Sequence, residues 1–199
     1  MQFMLTWSEA RTRVLTRTPV LSRRRVGLES ASGRVLAEPL IARNDAPPFD
    51  VSAVDGFAVN PRDVFAASDR RPVWLKLAAT VHTGDTYRRR LRAGTAIKLM
   101  TGSCVPRGAG AVVMKECCRE GPAEVAVCRA AAPGEHIRRR GGEFRKGQKV
   151  LSPGVLITPP VAGLLAAFGY ARVLVHARPV VTIAVTGDEL LLPSQRLRP

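Results

Sequence analysis

The groups best suited to chemistry in this 199-residue chain sit at turns, and acids dominate them. Asp50 and Asp55 lie five residues apart in PPFDVSAVDGFAV, residues 47–59, with Ser52 between them and Gly56 after the second. Thr186-Gly187-Asp188-Glu189 puts two more acids behind an apolar run. Asp188 and Glu189 are hard oxygen ligands of the kind Mg²⁺ prefers, and equally the acidic first turn of a helix capped by Thr186. Asp55-Gly56 is either an active carboxylate or ordinary turn chemistry, and Met100-Thr101-Gly102 is equally readable as a hairpin turn. Arg138-Arg139-Arg140-Gly141-Gly142-Glu143 joins three guanidinium groups to a flexible Gly-Gly turn. Guanidinium groups bind phosphate bidentately and glycines let backbone N–H groups approach an anion. The plain alternative is a solvated charge run.

The elements that must hold these groups follow from periodicity. Thr6 and Glu9 have capping-box spacing, and Trp7, Ala10 and Val14 continue a helical pattern bounded by Pro19. A second short helix is expected over 27–37 and a strand start within 34–41. Strands are expected at 57–59, 73–81, 96–100, 111–114 and 124–128, which makes 46–140 a small β-rich domain. Thr158, Pro159 and Pro160 open a helix with Val161, Leu164, Leu165 and Phe168 on its buried face and Gly169 at its end. A short strand follows at 173–175. Residues 180–185, VVTIAV, are almost continuously apolar and β-branched, the pattern of a parallel strand buried on both faces. TGDE would then follow the carboxyl end of that strand, where open α/β sheets place ligands. Such a strand needs neighbours through crossovers of a dozen or more residues, so the expectation is an α/β domain that opens here and is cut short.

Totals exclude several classes. Hydrophobic residues make up 46% of the chain, which excludes a disordered polymer. No apolar run approaches the roughly 20 residues of a membrane helix, and the N-terminus lacks a secretory pattern. The expected location is therefore cytoplasmic. Cys104, Cys117, Cys118 and Cys128 lack zinc-type spacing and are expected as reduced thiols. The net charge of +15 invites nucleic acid. Its arginines are scattered, however, with runs at 23–25, 88–90 and 138–140, and two Trp and two Tyr give few stacking platforms. A solvated basic surface, or a site for a phosphorylated ligand, fits at least as well, and nucleic acid is not the expected partner. His82, His136 and His176 are expected to be structural or exposed, with no Ser-His-Asp arrangement.

PPFDVSAVDGFAV, AGTAIKLMTGSCVPRGAGAVVMKE, GEHIRRRGGEFRKGQKVL and VTIAVTGDELLLP, in that order, resemble the MoeA family and its gephyrin E-domain relatives. The resemblance spans essentially the whole chain. It implies a mixed α/β multi-domain fold: an N-terminal helix (1–20) associated with domain III, an elongated domain I (21–45 plus 141–176), a β-rich domain II (46–140) inserted in it, and the first strand of a truncated, molybdopterin-binding-like α/β domain III (177–199). It implies a molybdopterin molybdenumtransferase, or its N-terminal part, which inserts molybdate into adenylylated molybdopterin with Mg²⁺ and releases AMP. The implied assembly is a homodimer whose cleft lies between domain II of one subunit and domains III and IV of the other. A full-length homologue or a molybdopterin adenylyltransferase is a further implied partner.

The same resemblance assigns roles. Asp55, Thr101, Glu143 and Glu189 are implied catalytic residues. Ser52, Gly102, Arg138, Arg139, Arg140, Thr186 and Gly187 are implied contacts to substrate or phosphate. Asp55, Asp188 and Glu189 are the implied Mg²⁺ ligands. Val51, Val54 and Phe57 replace the family's usual Asn, Met and Tyr; Gly142 replaces a glutamate, and Val185 a serine. The alternative function is a non-catalytic truncated paralogue that dimerises or binds a cofactor precursor.

Overall fold

The computed structural model describes residues 4–187 and 189–196. In chain order the elements are helix α1 (Trp7–Arg17), strands β1 (Arg23–Gly27), β2 (Leu40–Ile41), β3 (Val51–Ser52), β4 (Gly56–Val59), β5 (Val73–Val81), β6 (Thr95–Leu99), β7 (Ala111–Met114), β8 (Cys118–Glu120), β9 (Glu124–Val127), β10 (Ile137–Arg138) and β11 (Lys149–Leu151), helix α2 (Pro159–Ala167) and strand β12 (Arg172–His176). They divide into two compact units, Met1–Glu38 with Pro153–Pro199, and Pro39–Ser152.

In the first unit, α1 carries the expected capping box. Glu9 N–H donates to the Thr6 hydroxyl, and Thr6 N–H donates to the Glu9 carboxylate. Strand β1 pairs antiparallel with β12, from Arg23 opposite His176 to Gly27 opposite Arg172. Helix α2 starts at the two prolines, which need no N–H partner in a first turn. It buries Leu165, and Phe168 follows at its C-cap.

Two expectations fail in this unit. Residues 27–37 form no α-helix; a 3-10 turn at Leu28–Ser30 is followed by isolated bridges from Val35 to Leu156 and from Leu36 to Val175. Backbone pairing with residues 155–157 and 174–176 satisfies this segment's polar groups instead. Residues 180–185 form no strand and are exposed, Val180 at 96%. A β-branched run becomes a buried strand only where neighbours accept its hydrogen bonds and cover its faces. Among the described residues no strand pairs with it. Thr186 and Gly187 are not helical, and Asp188 lies outside the described residues.

The second unit is built on a six-stranded sheet in the order β7-β4-β6-β5-β9-β8. All its pairings are antiparallel except β5 with β6. Alternation along β4 sends Phe57 and Val59 into one apolar cluster with Leu75, Ala96, Val113, Val125 and Val127. Ala58 faces the other, with Val81, Leu91, Ile97, Leu99 and Val112. Both faces are thus covered, which is why all four residues of β4 are buried. At roughly 1.5–3 kcal/mol for each large apolar side chain buried, these two clusters fix the ends of β4 and β6 as rigid supports. The four cysteines are free. Burial, then the neighbouring Cys117 and Cys128, push the Cys118 thiol up to about 12, so it stays protonated at neutral pH.

Candidate active site on the second unit

Three of the four sequence motifs meet along β3. On one side Val51 and Ser52 pair with Arg138 and Ile137 of β10. On the other, Ser52 N–H donates to the Ser103 carbonyl (3.0 Å) and Gly102 N–H to the Ser52 carbonyl (2.9 Å). Val105 N–H reaches the Asp50 carbonyl (2.9 Å). Two strand residues therefore tie the opening motif, the Met-Thr-Gly turn and the arginine run together. Ser52 is fully buried, and its hydroxyl donates to the Val54 carbonyl (2.5 Å), closing the loop toward Asp55.

Asp55 stands at the start of β4. Its Oδ1 accepts from both the Thr101 N–H and the Thr101 hydroxyl, each at 2.8 Å. Its Oδ2 faces the Lys115 ammonium at 3.5 Å. The Thr101 N–H, then its hydroxyl, hold the Asp55 carboxyl below the usual carboxylate range against a smaller opposing effect of burial, with Lys115 adding to the shift. Gly102, at φ +83°, supplies the left-handed turn that aims Thr101 at Asp55. The glycine after Asp55 is needed for a different reason. A Cβ at Gly56 would collide with the main-chain carbonyl of Val113 on the paired strand β7. Gly56 is thus a position of close strand approach within β4 and no turn residue, which corrects the simplest reading of Asp-Gly.

The arginines meet carboxylates. Arg138 pairs with Glu143. Arg139 Nη1 donates to Asp50 Oδ2 (2.7 Å), while Arg140 N–H donates to Asp50 Oδ1 (2.8 Å). Arg140 Nε donates to Asp45 Oδ2 (2.6 Å), and Lys146 N–H caps Asp45 Oδ1 (2.8 Å). Burial opposes the charge on Asp50, but the Arg140 N–H and the Arg139 guanidinium outweigh it and its carboxyl is lowered. Asp45 is lowered by the Lys146 N–H and then by Arg140. A guanidinium has five N–H donors, so each arginine keeps open edges, and all three side chains are more than half exposed.

Asp55, Thr101, Gly102, Ser52, the three arginines and Glu143 all belong to the second unit. Thr186, Gly187 and Glu189 belong to the first and are exposed; Asp188 lies outside the described residues. Among the described residues no group of three or more His, Cys, Asp or Glu could hold a metal. At Asp55 itself, Oδ1 is filled by Thr101 and Oδ2 faces the Lys115 ammonium, so both carboxylate oxygens already have partners. His136 and His176 are half-buried, with Nδ1 against the Val112 (3.0 Å) and Leu21 (2.9 Å) carbonyls, and His82 is exposed.

Asp45 and Lys115 are not singled out by their sequence context, and Asp50 stands out as an acid without a role. Asp45 and Asp50 become visible as counter-charges to Arg140 and Arg139 only through pairing with residues 89 to 95 positions away. Lys115 becomes visible only through strand pairing: Gly56 opposite Met114 puts residue 115 beside residue 55.

The model of the MoeA N-terminal region (domain I and II) matches residues 5–169. The chain belongs to the MoeA family. It is 40% identical over 174 residues to molybdopterin molybdenumtransferase 2 of Mycobacterium tuberculosis, covering 87% of this chain and 43% of that protein. It is 39% identical over 178 residues to the Bacillus subtilis molybdopterin molybdenumtransferase, covering 87% of this chain and 41% of that protein. A crystal structure of the molybdopterin biosynthesis MoeA protein from Pyrococcus horikoshii superposes with a TM-score of 0.80 at 38% identity, covering 87% of this chain and 46% of that one. This MoeA-family chain thus spans less than half the length of these relatives. Among its described residues no helix is long and apolar enough to cross a membrane.

Proposed function

We propose that this chain supplies the domain I and II portion of a molybdopterin molybdenumtransferase, acting in molybdenum cofactor biosynthesis on adenylylated molybdopterin and molybdate, with release of AMP. The observation that carries the reading is the Asp55–Thr101 pair, an ionised carboxylate held rigid at the rim of a covered sheet, in a chain of this family. In the proposed site Asp55 and Thr101 form a fixed polar wall. Lys115 beside them and the open edges of Arg138, Arg139 and Arg140 attract the phosphate oxygens of the substrate. Ser52 and Gly102 hold the geometry, and Glu143 keeps Arg138 in place. Thr186, Gly187, Asp188 and Glu189 are proposed to contact substrate as part of domain III of a second subunit. Mg²⁺ would need ligands beyond those gathered at Asp55, and would supply charge neutralisation for the phosphate oxygens. In domain terms, 46–140 is proposed as domain II, 21–45 with 141–176 as domain I, and 1–20 and 177–199 as contributions to domain III.

The test is AMP release from adenylylated molybdopterin with molybdate, by the chain alone and mixed with the remaining C-terminal portion of the Mycobacterium tuberculosis relative. Activity in the mixture that drops about a hundredfold in Asp55→Asn, the scale of one well-placed electrostatic group, supports the reading. Equal activity of Asp55→Asn and the parent mixture sinks the role of Asp55, and no activity in any mixture sinks the enzymatic reading.

A second reading, a module that pairs with another copy of itself, is favoured by one observation. Helix α1 buries no residue and exposes Trp7, Val14 and Leu15. Light scattering of the purified chain checks it: a dimer supports it, and a monomer at all concentrations removes it.

A further inference from the structure

The parallel pairing of β5 with β6 demands a crossover, and residues 82–94 make it. They leave the end of β5 near Thr101 and return to the opposite end of β6, at Thr95. The crossover is pinned there by Leu91, which is buried among Val81, Ile97 and Leu99 and donates its N–H to the Arg107 carbonyl at 2.8 Å. Asp63 fixes its far end by accepting from Gly94 N–H at 2.8 Å.

This return path walls a cavity of about 850 Å³. Lys76 of β5 and Arg89, Arg90 and Arg92 of the crossover bring four cationic side chains to it, with Tyr87 and Leu77 beside them. Arg138–Arg140 are each tied to a carboxylate, but none of these four groups forms an ion pair among the described residues. The nearby acids are accounted for. Asp63 is engaged with the Gly94 N–H, Glu124 sits opposite Lys76 on β9 without pairing to it, and Asp85 in the same connection pairs with no cation. Four unneutralised cations at one cavity repel one another mildly through solvent, and an anion that shares the space turns that repulsion into attraction.

We propose that this cavity is a binding site for an oligophosphate group, a diphosphate or triphosphate, whether free or carried by a nucleotide. The charge matches: three guanidinium groups and one ammonium face the three to four negative charges of such a group. The shape matches as well, since a pocket of this size takes a small ligand, and arginines grip phosphate oxygens through paired N–H donors. The half-buried ring of Tyr87 offers a base a flat neighbour. Because the cavity lies at the Thr95 end of β6 and Asp55 at the Thr101 end, the inference stands apart from the proposed function and can fail or succeed without it.

Calorimetric titration of the whole chain with inorganic triphosphate, and separately with ATP, tests the site. Binding of triphosphate is expected to weaken about tenfold or more in Arg89→Gln/Arg90→Gln/Arg92→Gln. A charge-matched control, Arg23→Gln/Arg24→Gln/Arg25→Gln, and Asp55→Asn are each expected to stay within about twofold. All three variants change exposed or half-exposed side chains, and circular dichroism confirms folding before titration. ATP binding as tightly as triphosphate assigns the site to the phosphate group alone, and tighter ATP binding assigns it to a nucleotide; either outcome supports the proposal. The proposal is overturned if neither ligand binds, if the control triple loses as much as the cavity triple, or if Asp55→Asn loses as much. It is also overturned if a single-stranded oligonucleotide binds through Arg89, Arg90 and Arg92 while triphosphate does not compete.

Discussion

Residues 138–140 and 88–90 are the same tripeptide, Arg-Arg-Arg, in opposite surroundings. Each arginine of the first run has a carboxylate partner: Glu143, Asp50 and Asp45. The second run has none among the described residues. The first run is held against β3 through the β10 pairing, where Asp50 of the opening motif and Asp45 just before it are 89 to 95 residues away in sequence but adjacent in space. The second sits in a crossover whose only buried side chain is Leu91. A charge run is therefore held in place, with only its open edges left for a ligand, where folding delivers counter-charges to it, and is wholly free to bind one where folding does not.

The braced region is expected to break most severely at Gly56. In Gly56→Ala the new Cβ meets the Val113 carbonyl, a main-chain group locked in the sheet, so β4 and β7 must separate. A loss of about 3 kcal/mol is expected, at the upper end of overpacking costs, read as a shift in urea midpoint at unchanged slope. No change would show that β7 gives way freely and that Asp55 is not rigidly placed.

Next in size is Asp50→Ala. It leaves the Arg139 guanidinium and the Arg140 N–H without their shared acceptor. Charge-assisted hydrogen bonds are worth more than neutral ones, but Asp50 is about a third exposed, so solvent screens the loss to about 1–2 kcal/mol. A change under about 0.3 kcal/mol, the scale of an ordinary surface substitution, would place both arginine runs in the same class and dissolve the contrast.

How far the sequence foretold this contrast depends on which contacts were local. The capping box of α1, strands β4 to β7 and β9, and the proline-started α2 were legible because capping, alternation and proline chemistry act over a few residues. The grouping of Ser52, Asp55, Thr101 and the arginines came from motif order, and pairing of β3 with β10 supplies its geometry. Lys115 beside Asp55, and Asp45 and Asp50 beneath Arg140 and Arg139, depend on long-range register, which no window of the chain contains. Residues 180–185 misled for the complementary reason: their composition demands a sheet, and a strand exists only where partners are placed beside it.

Acid separates the two regions by sign. Asp45, Asp50 and Asp55 all have folded-state pKa values lowered by their partners. Depressed carboxylate values contribute stability above the unfolded value of about 3.9 and lose it as pH falls through the lowered folded values. The urea midpoint is thus expected to hold from pH 7 to about 5 and to drop below about pH 4. The drop should be shallower in Asp50→Asn, and Arg89→Gln should leave it unchanged because no acid depends on Arg89. An acid limb identical in all three proteins would mean that the carboxylates under 138–140 are not what acid unfolding titrates.

The smallest expected effect is the sharpest test of the open run. Arg88→Gln, Arg89→Gln and Arg90→Gln should each change stability by less than about 0.5 kcal/mol, the range of exposed residues without partners. The sign should be toward greater stability, since each change removes like-charge repulsion within the arginine run and breaks no ion pair. That gain should shrink as salt rises to about 1 M, where the screening length falls to about 3 Å. A destabilisation above 1 kcal/mol in any of them would mean that this run has partners of its own, and the difference between the two arginine runs would then be one of degree.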